Sequence, residues 1–176
     1  MLIRPAQRED MEACLALDPS FITDRVWQLV EQTHGEETTL TFRVSRLPRL
    51  LRVGYPRPLT ELAEGPHDGR CFLVAEQDKQ IVGLIDLIIA DWQKTAWLRH
   101  LVVAEPFRRH GVGGKLLRAA LTWAEQCAVS TVMAECQTKN FPALSLYRKN
   151  GFVFCGYNDH YYANKDIALF FAARLK

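Results

Sequence analysis

The stretch from Trp97 to Cys136 constrains this chain most. Trp97 to Val103 reads as a strand, and Leu116, Leu117, Ala120, Leu121, Ala124 and Cys127 then recur at helical spacing from Gly113 onward. Thr131 to Cys136 returns to a strand pattern. A strand, a helix and a strand in that order need a crossover, so the two strands are expected to be parallel neighbours joined with right-handed connection. Between the first strand and the helix sits Arg108-Arg109-His110-Gly111-Val112-Gly113. A helix begins with backbone N–H groups that have no intrahelical partner, and its dipole adds partial positive charge there, so an anion satisfies both. Gly111 and Gly113 let the backbone approach a phosphate or take positive φ, while Arg108, Arg109 and Lys115 add charge. Each charge-assisted hydrogen bond of this kind contributes roughly 1.5–3 kcal/mol. Other phosphate loops fit poorly. The nucleotide P-loop needs a glycine where Arg109 stands and Ser or Thr where Leu116 follows Lys115, and Leu116 also occupies the last glycine position of a dinucleotide fingerprint. Taken alone, the loop fits an anion cradle and a plain strand-to-helix turn equally.

The remaining pattern surrounds this unit with antiparallel structure. Leu2-Ile3-Arg4 predicts a short strand stopped by Pro5, followed by a helix through Met11, Cys14, Leu15 and Leu17. Asp24 is placed to N-cap a second helix through Trp27 and Val30 that ends near Gly35. Thr38 to Leu47 alternates as a strand, and the Pro- and Arg-rich segment from Pro48 to Pro58 interrupts it. The arginines there (Arg43, Arg46, Arg49, Arg52, Arg57) read better as a solvated edge hairpin than as an anion site. Cys71 to Ala75 and Ile81 to Ile89 form a predicted hairpin across Gln77 to Gln80. Asn140 is a good N-cap with Pro142 in the first turn, and Gly151 stands as a C′ glycine after Tyr147 and Asn150. Phe152 to Tyr157 and Ile167 to Leu175 predict a closing strand pair.

Length and charge bound the remaining choices. A chain of 176 residues with 48% hydrophobic content fits one domain, taken here as 1–176. With 22 basic and 20 acidic residues there is no bias toward nucleic acid or a membrane surface. Cys14, Cys71, Cys127, Cys136 and Cys155 are odd in number and contain no C-x-x-C pair, which suggests neither a disulfide framework nor a metal site, and a reducing cytoplasm is expected. The first ten residues carry Arg4, Arg8, Glu9 and Asp10 with no apolar run behind them, and no later run is long enough for a bilayer, so neither secretion nor membrane insertion is expected.

Arg108-x-x-Gly111-x-Gly113, after the strand end Leu101-Val102-Val103, resembles the [QR]-x-x-G-x-[GA] cofactor signature of the GNAT (Gcn5-related N-acetyltransferase) superfamily. Asn140, Ala143 and Tyr147, followed by Gly151-Phe152, match the family's next helix. The resemblance covers about Cys71 to Leu175. It implies an α+β (α/β/α) fold, a mixed and mainly antiparallel twisted sheet with one parallel pair at the cofactor site, flanked by helices. It further implies acetyl-CoA as acetyl donor and no metal. Leu101, Val102 and Val103 would pair with the pantetheine arm, the amides of Arg108, Arg109, His110, Gly111, Val112, Gly113 and Gly114 would hold the pyrophosphate, and Asn140 would also touch the pantetheine. Arg109 departs from the glycine common at that place. Glu135-x-x-x-x-Asn140-x-x-Ala143-x-x-x-Tyr147 is similar to both ribosomal-protein N-terminal acetyltransferases and streptothricin acetyltransferases. Thr23 to Gln28, Gly156 to Asp159 and Ala168-Leu169 lean toward the second group.

Acetyl transfer to an amine needs a base, since a lysine-like amine with pKa about 10.4 costs roughly 4.6 kcal/mol to deprotonate at pH 7. Glu135 leads, on the strand beside the predicted cofactor arm, directly or through a water. His100 is second by its intrinsic titration range, and Asp86 third, either binding a cationic substrate or facing solvent. Tyr147 is the family's candidate acid toward the departing sulfur. Full proton transfer from a phenol to a thiolate is uphill by roughly 2 kcal/mol, so a hydrogen bond suffices. No cysteine has a His–Asp pattern beside it, which favours direct attack by the amine. The acceptor is expected to be a small-molecule or peptide amine, with a non-catalytic CoA-binding sensor as the competing class. A homodimer is common among such relatives.

Overall fold

The computed structural model describes residues Met1–Leu175. Its larger sheet has seven strands in the order β1-β4-β5-β6-β7-β9-β8. These are β1 (Leu2–Pro5), β4 (Arg70–Gln77), β5 (Gln80–Ala90), β6 (Thr95–Val103), β7 (Thr131–Gln137), β8 (Val153–Asn158) and β9 (Ala168–Arg174). Every neighbouring pair is antiparallel except β6 and β7, which are parallel through the crossover helix α2 (Val112–Gln126). This is the predicted mixed sheet, and its predicted hairpin turns at Asp78 and Lys79, both at positive φ. Helices α1 (Met11–Leu15) and α3 (Phe141–Lys149) complete the main layer, with 3₁₀ turns at Leu59–Glu64 and Glu105–Phe107. No helix among the described residues is long and apolar enough to cross a membrane.

The predicted second helix is absent. Residues Phe21–His34 form strand β2, which pairs with β3 (Glu37–Val53) in a long separate hairpin. Gly35, expected to end a helix, instead opens at φ +61 a two-residue turn between His34 and Glu37. Trp27 and Val30 share a helical spacing, yet Val26, Val30, Thr23 and Thr33 are β-branched and fit a strand better. The expected interruption at Pro48 is a register shift: Thr23 pairs with Leu51 and Arg25 with Arg46, so Pro48 stands in a bulge where no ladder donor is needed.

The hairpin is stitched to the main layer by aromatic rings. Trp27 lies 5.9 Å from Phe42, 6.3 Å from Phe154 and 6.2 Å from Phe171, and its main-chain N–H donates to the Thr138 carbonyl at 2.9 Å. Phe171 also meets Tyr147 of α3 at 6.0 Å and is fully buried, so one side chain ties β9, α3 and the hairpin together. Phe171→Ala should therefore cost about 3–5 kcal/mol in chemical denaturation. A loss below about 1 kcal/mol would mean that the hairpin and helix are held by other contacts.

Candidate active site

The site grows from the way β6 and β7 part. Their pairing runs only from Thr95/Thr131 to Leu98/Ala134, although β6 stays paired with β5 as far as Val103 and β7 with β9 as far as Gln137. The parting coincides with a bulge, because Asp86 opposes His100 while Leu87 opposes Leu98, leaving Arg99 as the extra residue. Bulges bend a strand and sharpen its twist. Beyond the bulge the Ala104 N–H bonds the Val82 carbonyl, and antiparallel alternation then turns the main-chain groups of Leu101 and Val103 away from β5 and into the opening. Val102, one residue out of phase, is buried against the other side of the sheet.

At the far end of this opening the chain makes the predicted strand-loop-helix turn. Arg109 (φ +67) and Gly111 (φ +83) are both in the left-handed region, and Gly111 caps α2. The amides of residues 109–114 make no hydrogen bond with the described protein, while Arg109, His110 and Lys115 expose their side chains around them. Val112 and Gly114 are buried; a Cβ on Gly113 would lie 3.3 Å from Leu146 and 3.7 Å from Val103, so the helix start packs closely on α3 and β6 and leaves room for little more than glycine. Arg108 differs from expectation. Its guanidinium turns back, with Nε donating to the Val103 carbonyl at 2.7 Å and Nη2 to the Asp18 carbonyl at 2.8 Å, so it braces the strand end and lends the amide cradle no side-chain donor.

The helix after β7 places the other motif residues. Asn140 Oδ1 accepts from the Ala143 N–H at 3.1 Å, the predicted N-cap, so this oxygen is already engaged. At the other end Gly151 at φ +85 forms a Schellman closure, with Phe152 N–H bonding Tyr147 O at 3.1 Å and Gly151 N–H bonding Arg148 O at 3.3 Å. The same closure stacks the Tyr147 ring 5.6 Å from Phe152. Tyr147 is buried, and burial pushes its phenol well above 10, so it stays protonated as a donor. The neighbouring Cys136 thiol is likewise raised by burial and stays protonated.

Glu135 is the first β7 residue past the last pair with β6, at the mouth of the opening, and its side chain is 4% exposed. Burial raises its carboxyl above the ordinary 4.5, and Arg57 opposes that rise. Arg57 Nε donates to Glu135 Oε1 at 2.9 Å, and Nη2 donates to the Tyr161 hydroxyl at 2.9 Å. The solvated-edge reading of Arg43 to Arg57 thus fails for Arg57, because the chain after β3 turns inward between Pro56 and Pro58. Tyr162, buried, and Tyr161 come from the loop before β9. Sequence reasoning missed Arg57, Glu61 and Tyr55 as site residues; the paired prolines around Arg57 were the one local sign of a fixed segment.

His100 is enclosed, with Tyr55 stacked 5.9 Å away and Nε2 lying 3.4 Å from Glu61 Oε2 without hydrogen-bond alignment. Burial lowers its pKa, while Asp86 and Glu61 pull the other way. Asp86 corrects the expectation that it faces solvent. It is fully buried, and Arg70 Nε donates to its Oδ1 at 2.5 Å while Nη1 donates to the Gly65 carbonyl at 3.0 Å. It therefore braces β4, β5 and the segment before them through Arg70 and does not face solvent.

A sequence profile described as the Acetyltransferase (GNAT) family matches residues 32–152. A streptothricin acetyltransferase of Streptomyces lavendulae is 29% identical over 164 residues, which is 90% of this chain and 85% of that protein. The crystal structure of nourseothricin acetyltransferase superposes with a TM-score of 0.84 at 25% identity, covering 99% of this chain and 98% of the other. A candidate streptothricin acetyltransferase from Bacillus anthracis str. Ames, in complex with acetyl coenzyme A, superposes at 0.80 with 24% identity over 99% of each chain. At that identity the likeness carries the fold.

Gly111→Val tests the loop. A β-branched residue at φ +83 carries about 1–3 kcal/mol of strain and must turn the adjacent amides. Acetyl-CoA affinity by calorimetry should fall at least tenfold with circular dichroism unchanged, and an unaltered affinity would remove the cradle from these residues.

Proposed function

The chain belongs to the acetyltransferase (GNAT) family, and on that premise we propose that it moves acetyl from acetyl-CoA onto a primary amine of a cationic small molecule of the streptothricin kind by direct attack. The observation that carries the proposal is the opening between β6 and β7, with unpaired amides at one end and a buried carboxylate at the other. The residues fit the donor: Leu101 and Val103 offer main-chain groups along a narrow arm, although the Val103 carbonyl is taken by Arg108, and residues 109–114 offer N–H groups to an anion. When bound, acetyl-CoA supplies an acyl group activated as a thioester.

The protein's part is to manage protons at two atoms. Glu135, at the mouth, accepts the proton that the amine must lose as its C–N bond forms; a carboxylate raised by burial is a stronger base than one in water. Tyr147, held neutral, donates a hydrogen bond toward the sulfur as the C–S bond breaks, and its fixed ring keeps the donor in place. His100 is less suited, because its ring is shut beneath Tyr55 with no exposed edge. The cationic acceptor is supported by the likeness over most of the chain to a streptothricin acetyltransferase and by the carboxylates of Glu61 and Glu135 together with Tyr55 and Tyr161 on this side.

Incubation with acetyl-CoA and a panel of streptothricin and basic peptides, reading free CoA, tests the acceptor class. Streptothricin should be acetylated with the larger kcat/KM; faster turnover of peptide N-termini would move the acceptor to proteins. The pH dependence follows from the direction at Glu135. A base must be ionised, so kcat/KM should fall as pH drops through a midpoint above 4.5, and Glu135→Gln should lose that limb together with about 10²–10⁴-fold of rate. An unchanged limb would exclude Glu135. Tyr147→Phe should lower kcat by at least tenfold with acetyl-CoA affinity retained, and full activity would remove its role.

A further inference from the structure

Arg57 takes no part in the proton transfers above, yet it is in direct contact with the base. It stands in Tyr55-Pro56-Arg57-Pro58, where each proline fixes its own φ and pushes the preceding residue toward extended backbone, so the direction of Arg57 is set before any side-chain contact forms. All three guanidinium nitrogens are engaged. Nε donates to Glu135 Oε1 at 2.9 Å, Nη2 donates to the Tyr161 hydroxyl at 2.9 Å, and Nη1 lies 3.7 Å from Glu61 Oε2, a carboxylate that Arg99 also binds. The guanidinium carbon stands 6.0 Å over the Tyr161 ring.

The geometry points to Arg57 as a positioning residue for the N-acetylation proposed above: it pins Glu135 through one oxygen, holds the direction of the carboxylate at the mouth of the opening, and keeps it ionised in a buried setting. This rests on the assignment of Glu135 as the base. Burial alone drives a carboxyl toward its neutral form, which could not accept a proton, and the neighbouring guanidinium is the largest opposing influence on Glu135. The other titratable groups facing it are Tyr161 and Tyr162 from the loop before β9, Tyr147 from α3, Tyr55 beside Arg57, and Cys136 on β7 itself. Each of these is raised by burial and so stays neutral near pH 7. Glu61 sits behind Arg57, where its charge is shared with Arg99. A planar fork also holds direction as a lysine ammonium does not.

The test compares the wild-type protein, Arg57→Gln and Arg57→Lys by a carbon-13 carboxyl titration of Glu135 alongside the pH profile of kcat/KM. In Arg57→Gln both midpoints should move upward together by about one to three pH units. In Arg57→Lys the midpoint should stay nearer to wild type while kcat falls, since the charge remains and the fork is lost. A folded Arg57→Gln whose Glu135 titration does not move overturns the inference, as does an Arg57→Lys with wild-type kcat, which decides the matter if the glutamine variant does not fold. A Glu135 titration that moves while the wild-type protein acetylates no amine counts against the acetyl-transfer reading, and the coupling of Arg57 to Glu135 then stands by itself.

Discussion

The rest of the site depends on one break in a hydrogen-bond ladder, the parting of β6 from β7 after Leu98 and Ala134. Each strand keeps its outer partner, β5 on one side and β9 on the other, so the opening sacrifices only the ladder between them. Even this loss is partly made good. Arg108 caps the Val103 carbonyl, and the Tyr55 hydroxyl reaches the Arg99 carbonyl at 3.5 Å. Unpaired main-chain groups in a protein interior are costly, so a persistent gap with polar edges is a place that another polar chain can complete. The bulge at Arg99 sets where the gap starts, and Glu135 owes its position at the mouth to being one residue past the last pair.

Buried charge in this molecule falls into two groups with different tasks. Arg70 and Asp86 are both fully enclosed and are braced further by the Gly65 carbonyl, which locks the strands behind the site. Such pairs are seldom worth more than well-packed apolar residues, but removing one partner alone leaves an uncompensated charge. Arg57, Glu61, Arg99 and Glu135 form the second group at the mouth, where Arg57, Glu61 and Arg99 are each a fifth to a quarter exposed. Partial exposure lets these groups exchange partners without full desolvation, as the proposed cationic acceptor would require.

Local signals made the proposed cofactor side legible and hid the proposed acceptor side. The Gly111 and Gly113 loop, the Asn140 cap and the Gly151 closure are each decided by a few consecutive residues, and all three stand where the sequence placed them. The spacing of Trp27 and Val30 predicts a helix from Asp24 to near Gly35, whereas the conformation of this stretch is set by pairing with β3 and by packing on Phe154 and Phe171 far along the chain. The burial of Asp86 is likewise invisible to local pattern, since it depends on Arg70. Arg57 meets Glu135 across 78 positions of sequence, and no spacing rule spans that distance.

This division follows from which atoms do the binding. The opening and the loop present main-chain N–H and C=O groups, which every residue carries, so the cofactor side asks only for glycine where φ is positive or space is short and tolerates wide change elsewhere. The mouth is built from side chains of β7, the segment after β3 and the loop before β9. A relative at 29% identity over most of the chain can therefore share the donor chemistry through common backbone geometry. Under the proposed function, acceptor choice would rest on Tyr55, Arg57, Glu61 and Tyr161, whose charge and shape differ from residue to residue in a way that main-chain groups do not.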